Sequence, residues 1–211
     1  MIYLCLIGGL ALLAVVKWSV AARAGYESAP YKVIEAEGSI EIREYPDLVL
    51  ASTEASFAAR GNDGSFMRLF RYISGNNEAK QKIEMTTPVF MEPDGPDSGG
   101  QMGFVMPQQI AKQGAPQPKA SDVAIRKRKG GRFAVIRFTG IMNEKLAGSQ
   151  EAKLREWIRS RGLQAEDTSE RAGYDPPFTP GLLRRNEVLI RLQTEDEASA
   201  ESSKDDQQQS R

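Results

Sequence analysis

Histidine is absent from all 211 residues, and cysteine occurs once, as Cys5. The first absence removes Ser-His-Asp and Cys-His activation of a nucleophile, His-ligated zinc and His-ligated iron. The second removes any intrachain disulfide and any cysteine-based metal cluster. Net charge is missing too. The 28 Lys and Arg balance 28 Asp and Glu, so no global field draws nucleic acid or an acidic substrate. No Walker-type or dinucleotide-type glycine loop is present, and the carboxylates are scattered, with none paired for acid/base work. An enzyme would be left with carboxylates, Lys, Tyr or backbone groups. The chain is therefore expected to bind rather than to catalyse. At 40% hydrophobic and 27% charged it has ordinary globular composition, enough for one domain of ~100–200 residues with appendages.

What is present begins with a run of apolar residues and glycine, Ile2 to Val16, followed by Lys17-Trp18. The run falls short of the ~20 residues that cross a bilayer core unless Lys17 snorkels, and Lys17 beside Trp18 resembles an interfacial belt. Residues 1–24 are read as a membrane anchor or signal segment. Ala22-Arg23-Ala24 has the small-x-small pattern of a cleavage site, with Gly25 as the new N-terminus, but the start of the run lacks Lys and Arg. Two locations follow: a bacterial inner-membrane anchor with the domain on the periplasmic side, or export after cleavage. Lys17 and Arg23 follow the run, and the positive-inside bias would hold them inside, so orientation is open. At the other end, residues 193–211 carry Glu195, Asp196, Glu197, Glu201, Asp205 and Asp206 and no apolar period, and are read as a disordered acidic tail.

Between these lies residues 26–192, whose periodicity falls into two halves. Ile40–Tyr45 alternates, turns at Pro46-Asp47 and resumes from Leu48 to Phe57, followed by a helix and a strand Ile83–Met91. Val123–Arg126 leads to the hairpin signal Lys129-Gly130-Gly131-Arg132, then a strand Phe133–Ile141, a second helix and a strand Asn186–Leu192. The letters run in parallel, IREYPDLVLASTEASF beside IRKRKGGRFAVIRFTGI. The fold class is α+β: a distorted sheet or barrel of two pseudo-symmetric ββαβ repeats flanked by two helices. In the first helix Phe66, Leu69, Phe70 and Ile73 share a face, with Arg68 and Arg71 turned away, Asp63 as cap and Gly75 as stop. In the second, Leu154, Trp157 and Ile158 make the stripe, with Ser149 as cap and Gly162 as stop. Gln108–Ser121 reads as a loop, and Met102–Met106 as a short strand.

Three features invite a ligand, each with a plainer reading. Met85, Met91, Met102 and Met106, with Met67 and Met142, suit an adaptable apolar cavity or simply fill a core. Phe66, Met67, Phe70 and Ile73 give an apolar face beside Arg68 and Arg71, apt for a ligand with an apolar body and carboxylate tails, or for a sheet. Arg126, Lys127, Arg128, Lys129 and Arg132 could meet phosphate or anionic headgroups, or be solvated. They have no interleaved aromatics to stack on bases, so no nucleic-acid partner is expected.

Phe70 to Asn77 (FRYISGNN) and Lys82 to Val89 (KIEMTTPV) resemble the hallmark of the SOUL heme-binding family. So do Tyr31–Glu35, Ile40–Tyr45, Tyr174–Pro180 (YDPPFTP) and Arg185–Val188, and the resemblance spans about residues 26–192. It implies a distorted barrel of two pseudo-symmetric halves with two helices, binding heme or another tetrapyrrole in an apolar depression beside the first helix. Carried over by position, that face is Phe66, Met67, Phe70 and Ile73, with Arg71 toward a propionate. Heme would be held non-covalently, without an axial histidine, by apolar contact or through Met or Tyr. The working role is carrier, buffer or sensor at a membrane. The alternatives are a barrel for lipid or another apolar molecule, and an interaction module that holds no ligand. Thr86-Thr87-Pro88 is read as structural, Pro88 marking a strand edge or bulge.

Overall fold

The computed structural model describes residues 25–56, 63–92, 100–176 and 178–193. The expectations for the N-terminal segment 1–24 and for the tail beyond residue 193 lie outside the described residues.

Alternation builds a sheet with both faces covered. On β3 (Ile40–Tyr45) Ile42 points one way and Tyr45 the other; on β4 (Leu48–Glu54) Leu48 and Leu50 oppose Val49 and Ala51. Along β9 (Gly131–Thr139) Phe133 and Val135 oppose Ala134, Ile136 and Phe138, and on β11 (Arg185–Arg191) Leu189 opposes Val188 and Ile190. With β2 (Lys32–Glu37), β6 (Val89–Glu92), β7 (Gln101–Val105), β8 (Ala124–Arg128) and β10 (Glu170–Gly173), these form one nine-stranded sheet in the order β2-β3-β9-β11-β10-β6-β7-β4-β8. Every ladder in it is antiparallel. Tyr45, Leu50, Phe90, Val105, Phe133 and Leu189 come from strands spread across that order yet make one cluster, so the sheet curls into a half-barrel around them. The outer face carries two helices, α1 (Ser65–Ile73) over β4 and β7, and α3 (Glu144–Ser160) over β9 and β11.

The two strong turn signals are corners rather than hairpins. β3 pairs with β2 and β9, whereas β4 pairs with β7 and β8, so the chain crosses the curled sheet at Pro46-Asp47 and again at Lys129-Gly130. The Gly-Gly signal reports a tight turn and not the pairing of its flanks. The corners lock together: the Gly130 N–H donates to Asp47 Oδ1 at 2.8 Å. Gly130 lies so near the Tyr45 carbonyl and Pro46 that a Cβ there would overlap the backbone.

Other departures have local causes. The strand read as Ile83–Met91 is split into β5 (Thr86–Thr87) and β6 around Pro88, which has no N–H to give a ladder. β5 pairs in parallel with β1 (Glu27–Ser28), and Thr86 Oγ1 donates to the Val105 carbonyl at 2.6 Å. The stretch read as a loop after Gln108 holds α2 (Gln108–Gln113), whose Ile110 and Ala111 pack on the core under α1. Six residues are too few to show a period. α3 starts at Asn143, whose Oδ1 accepts the Leu146 N–H at 2.9 Å, and the expected cap Ser149 sits inside the helix, donating to the Leu146 carbonyl at 2.8 Å. Leu146 and Ala147 extend the buried stripe about two turns earlier than Leu154 and Trp157 had implied.

Candidate ligand-binding face

Helix α1 is set by its ends. Asp63 accepts from the Ser65 N–H at 3.0 Å and from the Ser65 hydroxyl at 2.7 Å, one residue before the helix cap at Gly64. Gly75, at φ +108°, turns the chain out of the helix. Between them Leu69, Tyr72 and Ile73 face the sheet among Ala51, Met102 and Phe104, and the Tyr72 hydroxyl donates to the Pro116 carbonyl at 2.8 Å. Burial pushes that hydroxyl up to about 12.

The candidate residues divide about this axis. Ile73 is buried, underpinning the helix rather than facing outward. Phe66 is half-buried, edge-on to Phe104 at 5.2 Å and stacked on Phe70 at 6.1 Å with the planes 13° apart. Phe70 is 43% and Met67 51% exposed. Arg71 is exposed in the last turn and enters no ion pair among the described residues. Arg68, expected to turn away, is tied down: Nε donates to Thr53 Oγ1 at 2.9 Å, Nη1 to the Asp63 carbonyl at 3.0 Å and Nη2 to the Glu54 carbonyl at 2.6 Å. The outer face of α1 is thus an aromatic pair and a thioether in water with one unengaged guanidinium alongside. Such a face can take a flat apolar body and pair one anionic tail.

The other two sequence features resolve differently. Met85, Met91, Met102 and Met106 all pack in the core beneath α1, and Met142 packs beneath α3, so these methionines mainly fill gaps in the core. The basic cluster is largely neutralised. Arg126 pairs with Glu92, Lys127 with Asp47 at 2.6 Å, and Arg128 is buried against Glu170 at 2.6 Å. Lys129 and Arg132 remain exposed.

Inside the half-barrel lies a polar network that sequence reasoning missed. Glu187 takes Arg43 Nη1 at 2.8 Å and Nη2 at 3.0 Å, Arg185 Nη2 at 2.7 Å, and the Tyr174 hydroxyl at 2.8 Å. Burial alone would raise the Glu187 carboxyl; hydrogen bonds and charge from Arg43, then Arg185, outweigh it and hold it below the usual carboxylate range. Burial pushes the neighbouring Tyr45 hydroxyl up to about 12. The Arg128 guanidinium stands 4.5 Å over the rings of both Phe90 and Phe133. Arg43, Arg185 and Glu187 satisfy one another, so this part of the network braces the interior. Its one sequence signal is an Arg and a Glu at inward-facing strand positions; their separation of 144 residues hides the pairing.

Two clefts open elsewhere. One of about 330 Å³ lies between β1, the Pro46-Asp47 corner and α2, lined by Ala29, Leu48, Val105, Met106 and Lys112 among others. The other, of about 620 Å³, is more polar, with Thr53, Glu54, Arg68, Gln101 and Asp122 in its wall. Neither includes Phe66, Met67 or Phe70. Among the described residues no group of three or more His, Cys, Asp or Glu side chains is gathered to hold a metal ion.

The family described as SOUL heme-binding protein matches residues 26–191. Heme-binding protein 2 of Mus musculus is 31% identical over 170 residues, covering 77% of this chain and 82% of that protein. Heme-binding protein 2 of Homo sapiens is 32% identical over 160 residues, covering 72% and 78%. Heme-binding protein 1 of Xenopus laevis is 30% identical over 158 residues, covering 71% and 82%. Among solved structures, the cryo-EM structure of an EcmrR–DNA complex aligns with a TM-score of 0.57 at 8% identity, over 89% of this chain and 69% of that one. An uncharacterized conserved protein from Listeria innocua aligns with a TM-score of 0.55, also at 8% identity, over 74% and 92%. These two show a shared fold.

Proposed function

We propose, from the premise that this chain belongs to the SOUL heme-binding protein family, that it binds heme or another tetrapyrrole non-covalently on the outer face of α1 and holds it without catalysis. The observation that carries this reading is the stacked Phe66–Phe70 pair, part open to water, with Arg71 beside it. A tetrapyrrole is a flat apolar plate with carboxylate tails on one edge. Phe66, Phe70 and the Met67 thioether suit the plate, and Arg71 suits a carboxylate. The fit is one of surface contact. With no imidazole in the chain, Met67 Sδ is the soft donor this face offers toward iron, whose redox chemistry would be what the bound group supplies. Weak or absent ligation suits a carrier, buffer or sensor that must release its cargo, working at a membrane, read as the bacterial inner membrane, to which Ile2–Val16 attaches it.

The test is a hemin titration of a fragment spanning residues 25–193, followed by Soret absorbance. A saturable one-to-one shifted band that Phe70→Ala and Arg71→Ala weaken is expected; a non-saturating rise indifferent to both would overturn the site. A second reading, a lipid or other small apolar molecule, draws on the cleft of about 330 Å³, the lower end of ligand-sized pockets, with Ala29, Leu48, Val105 and Met106 in its wall. Lipid carried through purification and identified by mass spectrometry would favour it.

A further inference from the structure

The methionines divide sharply by access. Met67 is 51% exposed, whereas Met102 and Met106 are buried and Met85, Met91 and Met142 are half-buried against the core clusters. Among the described methionines, Met67 is therefore the one that a dissolved oxidant reaches without any opening of the fold. Access is what the reaction needs, since a thioether, unlike a thiol, does not have to lose a proton first.

The helix gives the oxidised form of Met67 a partner. Met67 and Arg71 lie four residues apart on α1 (Ser65–Ile73), so their Cβ atoms stand about 5–6 Å apart on one face. The other residues three and four positions from Arg71 are Arg68, Ser74 and Gly75, none of them acidic. Arg68 cannot take the place of Arg71, because its three nitrogens are held by Thr53, Asp63 and Glu54. A thioether sulfur accepts hydrogen bonds only weakly and leaves Arg71 alone. A sulfoxide is polar, and its oxygen accepts from a guanidinium, which has five N–H donors to offer.

We propose that Met67 is an oxidation site that switches this face off: a hydroperoxide converts its thioether to the sulfoxide, and the new oxygen takes the Arg71 guanidinium. The sulfur lone pair attacks one peroxide oxygen, and the S–O bond forms as the O–O bond breaks. The proton on the transferred oxygen passes to the departing one, which leaves as water or an alcohol. Sulfur is oxidised by two electrons and the peroxide is reduced by two. One event thus removes the soft apolar contact beside Phe66 and Phe70 and occupies the cation. The fold is spared, because Leu69, Tyr72 and Ile73 form the buried stripe and Met67 lies outside it. A methionine sulfoxide reductase restores the thioether. The oxidation and the Arg71 contact stand on this helix alone, whereas the loss of tetrapyrrole binding rests on the function proposed above.

The experiment uses the full chain carrying Cys5→Ser in lipid nanodiscs, treated with hydrogen peroxide that catalase then removes. Peptide mapping by mass spectrometry follows each methionine. Met67 is expected to oxidise several times faster than Met85, Met91, Met102, Met106 and Met142; a rate no faster than theirs overturns the site. Phenylglyoxal, which modifies free guanidinium groups, should then react more slowly at Arg71 and unchanged at the exposed Arg132, and Met67→Leu should abolish the slowing. Equal reactivity at Arg71 before and after peroxide overturns the contact. Hemin affinity should fall on oxidation, by a factor about two- to fivefold smaller in the Arg71→Ala chain. The affinity of a Met67→Leu chain should not change with peroxide. An oxidised chain that binds hemin as tightly as the untreated one overturns the switch. If the untreated chain gives no saturable Soret band, the tetrapyrrole reading fails, and the oxidation and phenylglyoxal rates still decide the site and its contact.

Discussion

Helices α1 and α3 lie on the same outer face of one sheet, yet only one of them is finished on both sides. α3 buries Ala147, Leu154 and Ile158, holds the carbonyls of Glu166 and Asp167 through an Arg155–Glu151 pair at 2.8 Å, turns Glu156 and Arg159 toward water, and is capped by an Arg161 that reaches Glu35 and Glu37. α1 buries Leu69, Tyr72 and Ile73 just as well, but continues apolar around its circumference through Phe66 to Phe70 and Met67. Packing on a sheet needs one stripe of a helix. Beyond that stripe Phe66 still touches Phe104, whereas Phe70 and Met67 are left in water. The contrast also separates two arginines three residues apart: Arg68 is part of the wall, and Arg71 is available.

The largest effect is expected in the interior on which both helices rest. Glu187→Gln leaves Arg43 and Arg185 with a neutral partner and should cost about 3–5 kcal/mol in denaturant unfolding. The folded carboxyl lies below its ordinary range, so its contribution is complete above the unfolded value of about 4.3 and is lost as pH falls through the folded one. The variant's stability should therefore fall less steeply in acid, and an unchanged acid limb would refute the assignment.

Next, Leu69→Ala and Leu154→Ala should each cost about 2–5 kcal/mol, because both side chains are fully buried beneath their helices. A cost below about 1 kcal/mol at Leu69 alone would break the comparison, since α1 would then be loosely held. Phe70→Ala and Trp157→Ala should sharpen it. The first should lower hemin affinity by about tenfold, or about 1.4 kcal/mol, with stability nearly unchanged; the second should lower stability and leave affinity alone. Smallest is Arg71→Ala, about two- to fivefold in hemin affinity, in the range of an exposed charge pair and shrinking as salt is added. An effect on unfolding larger than on binding would return Arg71 to the wall.

Much of the fold is legible because it is local. Alternation located β3, β4, β9 and β11 to within a few residues, and the i, i+3, i+4, i+7 spacing located α1. Legibility failed wherever the answer depended on a distant strand. Lys129-Gly130-Gly131-Arg132 carries a hairpin's letters, but its flanking strands find partners elsewhere once the sheet curls. β10, Glu-Arg-Ala-Gly, has no apolar period to announce it and exists because β6 and β11 pair on either side. The candidate face was half legible: Phe66, Met67, Phe70 and Arg71 share the open side, whereas the same spacing rule joined Ile73 to them and released Arg68.

What the sequence determined by itself is what depends on composition and near neighbours. It set the lack of imidazole, the α+β pattern, the helix ends at Asp63 and Gly75, and a surplus of apolar residues on α1. The tertiary structure decided which of that surplus meets water, which arginine is engaged, and that Arg43 and Glu187 meet. The reason is geometric. Side-chain direction along one element follows from a fixed period, but its neighbours follow from the closure of a curled sheet, in which strands far apart in the chain come together.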